Sequence, residues 1–291
     1  MPTVIVHAYA KINLTLSILG KLPNGYHTLE TVLQSVSLHD TITLTPQPQT
    51  GITLSCSQPL PCPQEENTAY KAATLFYRHT GLPAAISIHL QKRIPHGAGL
   101  AGGSADAAAV LRGLNTLHNT QLSTQALCQL ASAIGADVPF CVCGGAMLAT
   151  GTGVQLSPLP SMPPCTLLIC KPPQSISTAQ AYAAFDACAP TPQPSAVPLC
   201  HALQQQDLPA IARHLHNTFL SAPVPEAVHT IQNTLLAHNA LGACMSGSGS
   251  AVFGIFAEPL NAQRCARDLS LQYPATFLCT PVSSGTQIFQ K

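Results

Sequence analysis

Four glycines within seven residues form the segment of this chain best suited to bind phosphate. Residues 95–104 read Pro-His-Gly-Ala-Gly-Leu-Ala-Gly-Gly-Ser, and an alanine-rich run of helical character follows. Glycine lets the backbone turn its N–H groups inward. The start of a helix adds N–H groups without partners and the positive end of the helix dipole. The segment therefore predicts a phosphate-binding loop rather than an ordinary turn.

Other glycine-rich phosphate loops fit this segment less well. Gly97, Gly99 and Gly102 match the G-x-G-x-x-G pattern of dinucleotide-binding folds, but no acidic residue occurs between Asp106 and Asp137 to hold a ribose. A Walker A loop requires a lysine before its Ser or Thr, and none stands here. The H-R-D and D-F-G triplets of protein kinases are also missing from the sequence. A dinucleotide-binding oxidoreductase therefore remains only a weaker alternative.

Asp137 and Lys11 are the candidate catalytic residues. Asp137 is one of only 11 acidic residues and lies in an apolar run. Because carboxylates are seldom buried without a partner or a function, it is a candidate general base or Mg²⁺ ligand, with a turn cap as the alternative. Lys11 shares a strand face with Asn13. It could stabilise a transferring phosphoryl group, or simply lie at a solvated strand edge.

An aromatic corner follows a predicted turn near the N-terminus. Tyr26 and His27 come directly after Asn24-Gly25. Aromatic faces stack on nucleobases and polar groups read base edges, so the corner could recognise a base. An ordinary hairpin is the alternative. Tyr182 lies in a helical run, where a core position is the alternative to a ligand contact.

The elements that must position these residues alternate in type along the chain. Strands are predicted at 4–6, 12–19, 31–33, 41–44, 165–170 and 251–256, with a turn at 23–25. Helices are predicted at 67–79, 104–117 and 123–134, the last with Ser123 as its N-cap. Proline-rich linkers are predicted at 157–164 and 190–198. This order predicts an α+β protein with one layered unit in each half.

Composition limits the classes of partner. The 291 residues are 46% hydrophobic and only 8% charged, with a net charge of +1, which argues against a nucleic-acid or polybasic membrane surface. Apolar runs stay short, so we expect a soluble cytoplasmic protein. The twelve cysteines form no C-x-x-C pair and are expected to be reduced core residues rather than disulfides. His214 and His216 are expected on a helix surface rather than at a metal.

Three motifs, taken in order, resemble the GHMP kinase superfamily. They are the glycine loop, Gly-Ala-Asp-Val-Pro at 135–139 and Met-Ser-Gly-Ser-Gly at 245–249. Further similarity lies at 10–14, 25–29, 67–69 and 175–178, so that it covers nearly the whole chain. The resemblance implies an α+β, two-domain GHMP kinase fold. Residues 1–156 would form an N-terminal domain like ribosomal protein S5 domain 2, and residues 157–291 a ferredoxin-like C-terminal domain, with the active cleft between them.

The resemblance also implies an ATP- and Mg²⁺-dependent kinase. Its reaction would be phosphorylation of the 2-hydroxyl of a cytidine-diphosphate-linked methylerythritol, in the non-mevalonate route to isoprenoid precursors. Asp137 would be the catalytic base, Lys11 its electrostatic partner, and Ser104 would lie near the metal. ATP would contact Asn67, near the adenine, and the loop residues Pro95, His96, Gly97, Ala98, Gly99, Leu100, Ala101, Gly102, Gly103, Ser104 and Ala105. The second substrate would be held by Asn13, Tyr26, His27, Thr178 and Tyr182, with the two tyrosines sandwiching the cytosine.

Several alternatives stay open at this stage. A non-catalytic member of the same fold would bind nucleotide without transferring phosphate, although the presence of both Lys11 and Asp137 argues against it. A related kinase would act on homoserine or mevalonate instead. The expected partner is a small molecule, with no nucleic acid and no membrane, and the protein is expected to be a monomer or a weak homodimer.

Overall fold

The computed structural model describes residues 3–59, 62–189 and 191–290. Its strands are β1 (Val4–Lys21), β2 (His27–Pro46), β3 (Gly51–Cys56), β4 (Ala85–Gln91), β5 (Ala146–Thr150), β6 (Gln155–Leu159), β7 (Thr166–Cys170), β8 (His216–Asn217), β9 (Gly242–Met245), β10 (Val252–Phe256), β11 (Thr276–Cys279) and β12 (Thr286–Gln290). Its helices are α1 (Thr68–Thr80), α2 (Gly102–Leu117), α3 (Thr124–Ser132), α4 (Val138–Cys143), α5 (Thr178–Asp186), α6 (Val197–Gln204), α7 (Leu208–Arg213), α8 (Glu226–Ala237) and α9 (Pro259–Gln272).

The larger sheet is built around one long hairpin. Its main order is β12-β1-β2-β4-β3, with β5, β6 and β8 attached beside it. β1 and β2 pair antiparallel from Val4 opposite Leu44 to Lys21 opposite His27. The sequence predicts four shorter strands here. The structure joins them into two because register shifts, the first between Tyr9 and Ala10, let the ribbon bend while it stays paired.

Small side chains let α2 lie close to this sheet. Ala105, Ala108 and Ala109 are fully buried. A Cβ on Gly113 would come within 2.5 Å of Leu44 Cδ1, so the helix backbone approaches the strand directly. The start of α3 agrees with its predicted cap, because the Ser123 side chain accepts a hydrogen bond from the Ala126 amide.

The smaller sheet has the order β11-β7-β10-β9, and all of its pairs are antiparallel. Helices α8 and α9 pack on it through a second core, whose members include Ile231, Leu235, Cys265 and Leu269. Two layered sheets with separate helices make an α+β fold, as the sequence predicts. Among the helices of the described residues, none has the length and apolar character that a membrane span requires.

The linker predicted at residues 157–164 is wrong for residues 157–159. Gln155–Leu159 is a strand, and it extends the larger sheet by pairing with β5, with Leu159 opposite Ala146. Pro158 is tolerated because β6 lies at a sheet edge and has only one neighbour. β12, which follows the smaller sheet in the sequence, also pairs with β1 in the larger sheet. A division into domains at residue 156 therefore stays a prediction. Within the second linker, Pro190 lies outside the described residues.

The helix predicted around His214 and His216 is also shorter than expected. α7 ends at Arg213, and His216 lies in β8, which pairs parallel with β1 opposite Thr15. Strand pairing therefore overrides the local helical pattern. All twelve cysteines are free thiols, and Cys141, Cys170, Cys244, Cys265 and Cys279 are buried.

Candidate active site

A cavity of about 1490 Å³ is lined by both halves of the chain. Nearly all the candidate site residues contribute to its wall: Lys11, Asn13, Tyr26, His27, Asn67, residues 95–104, Asp137, Thr178 and Tyr182. Ala105 is the exception. It is fully buried inside α2, and its amide donates to the Ala101 carbonyl, so it has no free group to offer a phosphate. Its predicted phosphate contact is therefore not supported.

The glycine loop combines two uses of glycine. Gly97 and Gly99 have φ angles of 60° and 73°, the left-handed region that favours glycine. Gly102 and Gly103 instead lie in the first turn of α2, which begins two residues earlier than predicted. There the missing side chain lets a neighbour pack close to the helix, since a Cβ on Gly102 would come within 3.0 Å of Ile94 Cγ2. Ala101 precedes the helix without a side-chain cap, which leaves the first N–H groups for a ligand.

The third motif packs directly against this loop. A Cβ on Gly99 would come within 1.9 Å of the Ser246 carbonyl oxygen. The Ser246 hydroxyl donates to the Gly99 carbonyl at 2.9 Å, and the Ala251 amide donates to the Ala98 carbonyl at 3.2 Å. The two glycine-rich segments, about 150 residues apart in sequence, therefore hold each other's backbone in place.

Lys11 and Asp137 meet in the cavity. The Lys11 Nζ lies 3.8 Å from Asp137 Oδ2 and donates a hydrogen bond of 2.8 Å to Asn13 Oδ1. Asn13 in turn donates to the Thr31 hydroxyl, which fixes the amide. Lys11 is 4% exposed on a central strand, so the solvated-edge interpretation is wrong. The side chain of Asp137 is 45% exposed. It precedes α4 but caps no amide there, so its carboxylate is free to face a ligand.

The opposite end of the cavity is built from side chains. His27 Nε2 lies 2.7 Å from Asp186 Oδ1, and Lys21 Nζ donates to Asp186 Oδ2 at 2.5 Å. Hydrogen bonds from Lys21 and His27 lower the pKa of Asp186. The Tyr182 ring stacks on His27, with centroids 4.6 Å apart and planes 20° apart. Tyr26 is 66% exposed. Tyr26 and Tyr182 both line the cavity, and the ring partners of Tyr182 are His27 and Phe219.

Asp186 and Lys21 were missed by the sequence reasoning. Asp186 lies four residues after Tyr182 on the same helix, so the two side chains share one face. That spacing was a readable signal. The pairing of Asp186 with His27 and Lys21 could not be predicted, because these residues lie more than 150 positions away in sequence.

A buried ionic cluster lies beside the glycine loop, and two of its members, Lys92 and Asp106, line the cavity. Lys92 contacts both Asp40 and Asp106, and Asp40 accepts the amides of Arg93 and Ile94. Burial alone lowers the pKa of Lys92, but the carboxylates of Asp106 and Asp40 outweigh it and raise that pKa. Burial raises the pKa of Asp106, and Lys92 opposes that shift. Oδ1 of Asp106 is buried without a partner. The sequence analysis did not single out this cluster.

Asn67 and Thr178 anchor the two flanks of the cavity. The Asn67 side chain accepts the Ala69 amide and caps α1, while the neighbouring Thr68 hydroxyl donates to the Gly103 carbonyl. The Thr178 hydroxyl lies 3.3 Å from the Ser248 hydroxyl. The two flanks are therefore tied to the glycine loop and to the third motif, respectively.

Two family models match the chain. Residues 67–145 match the GHMP kinases N terminal domain, and residues 199–275 match the GHMP kinases C terminal domain. Together these matches cover more than half of the sequence.

Curated relatives match over almost the full length. A 4-diphosphocytidyl-2-C-methyl-D-erythritol kinase of Caldicellulosiruptor saccharolyticus is 40% identical over 278 residues, which cover 95% of this chain and 96% of the relative. The enzyme of the same name from Gloeobacter violaceus is 43% identical over 272 residues, with 90% and 89% covered.

Solved structures agree with these relatives. A crystal structure of 4-(cytidine 5'-diphospho)-2C-methyl-D-erythritol kinase has a TM-score of 0.82 at 32% identity, covering 95% of this chain and 98% of that one. Homoserine kinase from Cytophaga hutchinsonii has a TM-score of 0.77 at 19% identity, covering 99% and 97%, and at that identity shows the shared fold alone.

Proposed function

The chain belongs to the GHMP kinase family, and from this membership we infer how its cleft phosphorylates an alcohol. The chain is a kinase that uses ATP to phosphorylate the 2-hydroxyl of 4-diphosphocytidyl-2-C-methyl-D-erythritol, a step of the non-mevalonate pathway. The observation that best supports a catalytic cleft is the approach of Lys11 to Asp137 at 3.8 Å in the wall that also holds the glycine loop.

The glycine loop is the proposed site of the ATP phosphates. The uncapped start of α2 offers backbone N–H groups and the positive end of a helix dipole. Backbone donors held by the third motif need no rearrangement when charge develops on the transferring group. Asn67 and the neighbouring wall of α1 are proposed to lie beside the adenine.

Asp137 is proposed to accept the proton of the 2-hydroxyl. Its carboxylate is half exposed to the cleft and caps no helix amide. Lys11, fixed by Asn13, is proposed to stabilise negative charge on the phosphoryl group as it is transferred. Phosphoryl transfer depends mostly on positioning and on charge stabilisation, and these two residues would supply both.

Mg²⁺ is proposed to enter with ATP rather than to occupy a metal centre of the protein. Among residues 3–59, 62–189 and 191–290, no cluster of three His, Cys, Asp or Glu side chains could hold a metal ion. Mg²⁺ bound to a nucleotide needs only one or two protein oxygens. The Ser104 hydroxyl lines the cleft and fits that need. When bound, the ion would neutralise charge on the phosphates.

The cytidine end is proposed to lie around His27. Tyr182 and Tyr26 offer aromatic faces for the cytosine, and His27 and Thr178 offer polar groups. Asp186 would hold the imidazole in place through its 2.7 Å contact. We also propose a cytoplasmic location, which the twelve free thiols support, since reducing compartments keep cysteines unpaired.

The direct test is turnover by the purified protein. With ATP, Mg²⁺ and 4-diphosphocytidyl-2-C-methyl-D-erythritol, we expect ADP and the 2-phosphate in equal amounts. ADP release with homoserine or mevalonate, but not with the cytidine substrate, would assign the chain to a related activity. ATP binding without transfer to any of these alcohols would mean a non-catalytic protein, and tight NADH binding would instead support an oxidoreductase.

A further inference from the structure

Two of the twelve cysteines are in contact across a helix pair. Cys128 on α3 and Cys143, the last residue of α4, have their Sγ atoms 3.4 Å apart. Both residues are partly exposed, unlike the fully buried Cys141 beside them. No other pair of thiols makes such a contact among the described residues. Neither residue lines the active-site cavity.

The surroundings of this thiol pair make its two members chemically different. The hydrogen bond from Cys128 and the charge of Arg112 lower the pKa of Cys143 to about 7, against the opposing effect of burial. The same hydrogen bond raises the pKa of Cys128. Cys143 is therefore the more acidic of the two thiols and the one that more readily forms a thiolate. Thiolates, not thiols, are the nucleophiles.

Arg112 is fixed in position by α4 itself. It lies on α2, and its Nη1 donates to the Val142 carbonyl at 3.2 Å. The groups around Cys143 are thus Cys128 on α3, Arg112 on α2 and the buried Cys141 thiol on α4, whose pKa burial raises. The only fixed charge in this set is positive, which favours the thiolate.

We propose that Cys128 and Cys143 form a reversible disulfide when the protein meets a peroxide or a small-molecule disulfide. The Cys143 thiolate attacks a peroxide oxygen and becomes a sulfenic acid, while the other oxygen leaves as hydroxide. The Cys128 sulfur then attacks the Cys143 sulfur, the S–S bond forms, and water leaves with the Cys128 proton. Overall, two thiols and one hydrogen peroxide give one disulfide and two waters.

A small disulfide gives the same product by exchange. The Cys143 thiolate attacks one of its sulfurs and releases the other as a thiolate. Cys128 then displaces the remaining thiol from the mixed disulfide. Two protein thiols and one small disulfide thus give one protein disulfide and two small thiols, and an added dithiol reverses the reaction.

This bond would enclose the segment that carries the proposed base. The closed loop runs from residue 128 to residue 143 and contains residues 132–137, all of which line the cavity. Bonding would shorten the Sγ–Sγ distance from 3.4 Å to about 2.05 Å, and the bond would then tie α3 to α4. Asp137 stands at the start of α4. We therefore expect oxidation to displace Asp137 and slow transfer, a consequence that rests on the proposed function, whereas the disulfide itself does not.

The first test needs no substrate. The full chain is treated with hydrogen peroxide or with oxidised glutathione, and its intact mass and peptide map are measured. We expect the loss of two hydrogen masses and a linked peptide pair containing Cys128 and Cys143, reversed by dithiothreitol. Cys200→Ser, which removes another partly exposed thiol, on α6, should form the link as the wild type does. Absence of this linked pair from the wild type, under both oxidants, would overturn the proposal.

The roles of the two thiols are tested by alkylation. Iodoacetamide should label Cys143 with a rate that rises as pH increases through about 7. In Cys128→Ala the hydrogen bond to Cys143 is lost, so the same curve should move to higher pH. An unchanged curve would show that Cys143 is not activated by its neighbour.

The link to catalysis is tested last. Oxidised wild-type protein should release ADP roughly tenfold more slowly, because small displacements of catalytic groups are costly. Cys143→Ser should keep its basal rate and be insensitive to the same oxidant. A fully linked protein with an undiminished rate would overturn the coupling to Asp137 and leave the disulfide standing.

Discussion

The two ends of the cleft are lined by different kinds of group, backbone at one end and side chains at the other. The proposed phosphate end is mostly backbone: a loop with two left-handed glycines, an uncapped helix start and a second glycine segment that packs on it. The proposed cytidine end is mostly side chains, where one carboxylate joins an imidazole and an ammonium beside an aromatic stack. Backbone sites tolerate few substitutions, whereas side-chain sites can be changed one contact at a time. The two ends should therefore fail in different ways when mutated.

The largest expected effect comes from the carboxylate that faces the phosphate end. Asp137→Asn removes the proposed base but keeps its shape, so kcat should fall by roughly 10²–10⁴-fold while the KM for ATP stays nearly constant. Steady-state ADP release measures both. Asp268→Asn is the control, since that carboxylate lies on the surface and pairs with His238. A kcat near that of the wild type would remove Asp137 from the role of base.

The backbone end should be unable to accept even one added methyl group at Gly99. Its φ is 73° and a Cβ would collide with the Ser246 carbonyl. Gly99→Ala should therefore cost about 2–5 kcal/mol of unfolding free energy and abolish tight ATP binding. Gly81→Ala is the matched control, with a φ of 70° and open space, and should cost only about 1–2 kcal/mol. Urea unfolding measures the loss of stability, and nucleotide titration measures ATP binding. An equal loss of unfolding free energy in the two variants would contradict the packing argument.

The cytidine end should lose affinity without losing rate when its aromatic face is removed. Tyr182→Leu keeps an apolar side chain but no ring, so the KM for the cytidine substrate should rise by about tenfold at nearly constant kcat. Tyr182→Phe retains the ring and should behave almost as the wild type. A large rise in KM for Tyr182→Phe would show that the hydroxyl group, rather than the ring, contributes the affinity.

The smallest effect is expected for the carboxylate that holds His27. Asp186→Asn weakens two charge-assisted contacts that are partly exposed, so the KM for the cytidine substrate should rise about fivefold. The KM for ATP should not change, because no contact joins this carboxylate to the glycine loop among the described residues. A parallel rise in both KM values would mean that the two ends are not independent.

Sequence reasoning predicted the backbone end better than the side-chain end. The glycine spacing from Gly97 to Gly103 is local, and local spacing alone predicts a turn followed by a helix start. The helix nevertheless begins at Gly102, so two of the four glycines provide space rather than unusual φ angles. The pairing of His27 with Asp186 joins residues 159 positions apart, and only the fold brings them together.

Long-range pairing also explains the errors in the elements. In β1 the apolar alternation runs unbroken from Val4 to Ile18, but its middle contains alanines, which favour strands weakly, so two short strands were predicted where pairing with β2 makes one. Residues 157–164 were predicted as a linker because proline and serine dominate them, but β5 offers Gln155–Leu159 a partner. The burial of Lys11 and the Lys92 cluster with Asp40 and Asp106 likewise depend on which strands neighbour one another.

The return of β12 to β1 brings the beginning and the end of the chain side by side, with Val4 opposite Gln290. During synthesis, one side of β1, the strand that carries Lys11, therefore stays largely uncovered until β12 has been made. A copy clipped before Thr286 would expose that edge to other chains. Formation of β12, far along the chain from β1, is thus a condition for full pairing of the strand that carries Lys11.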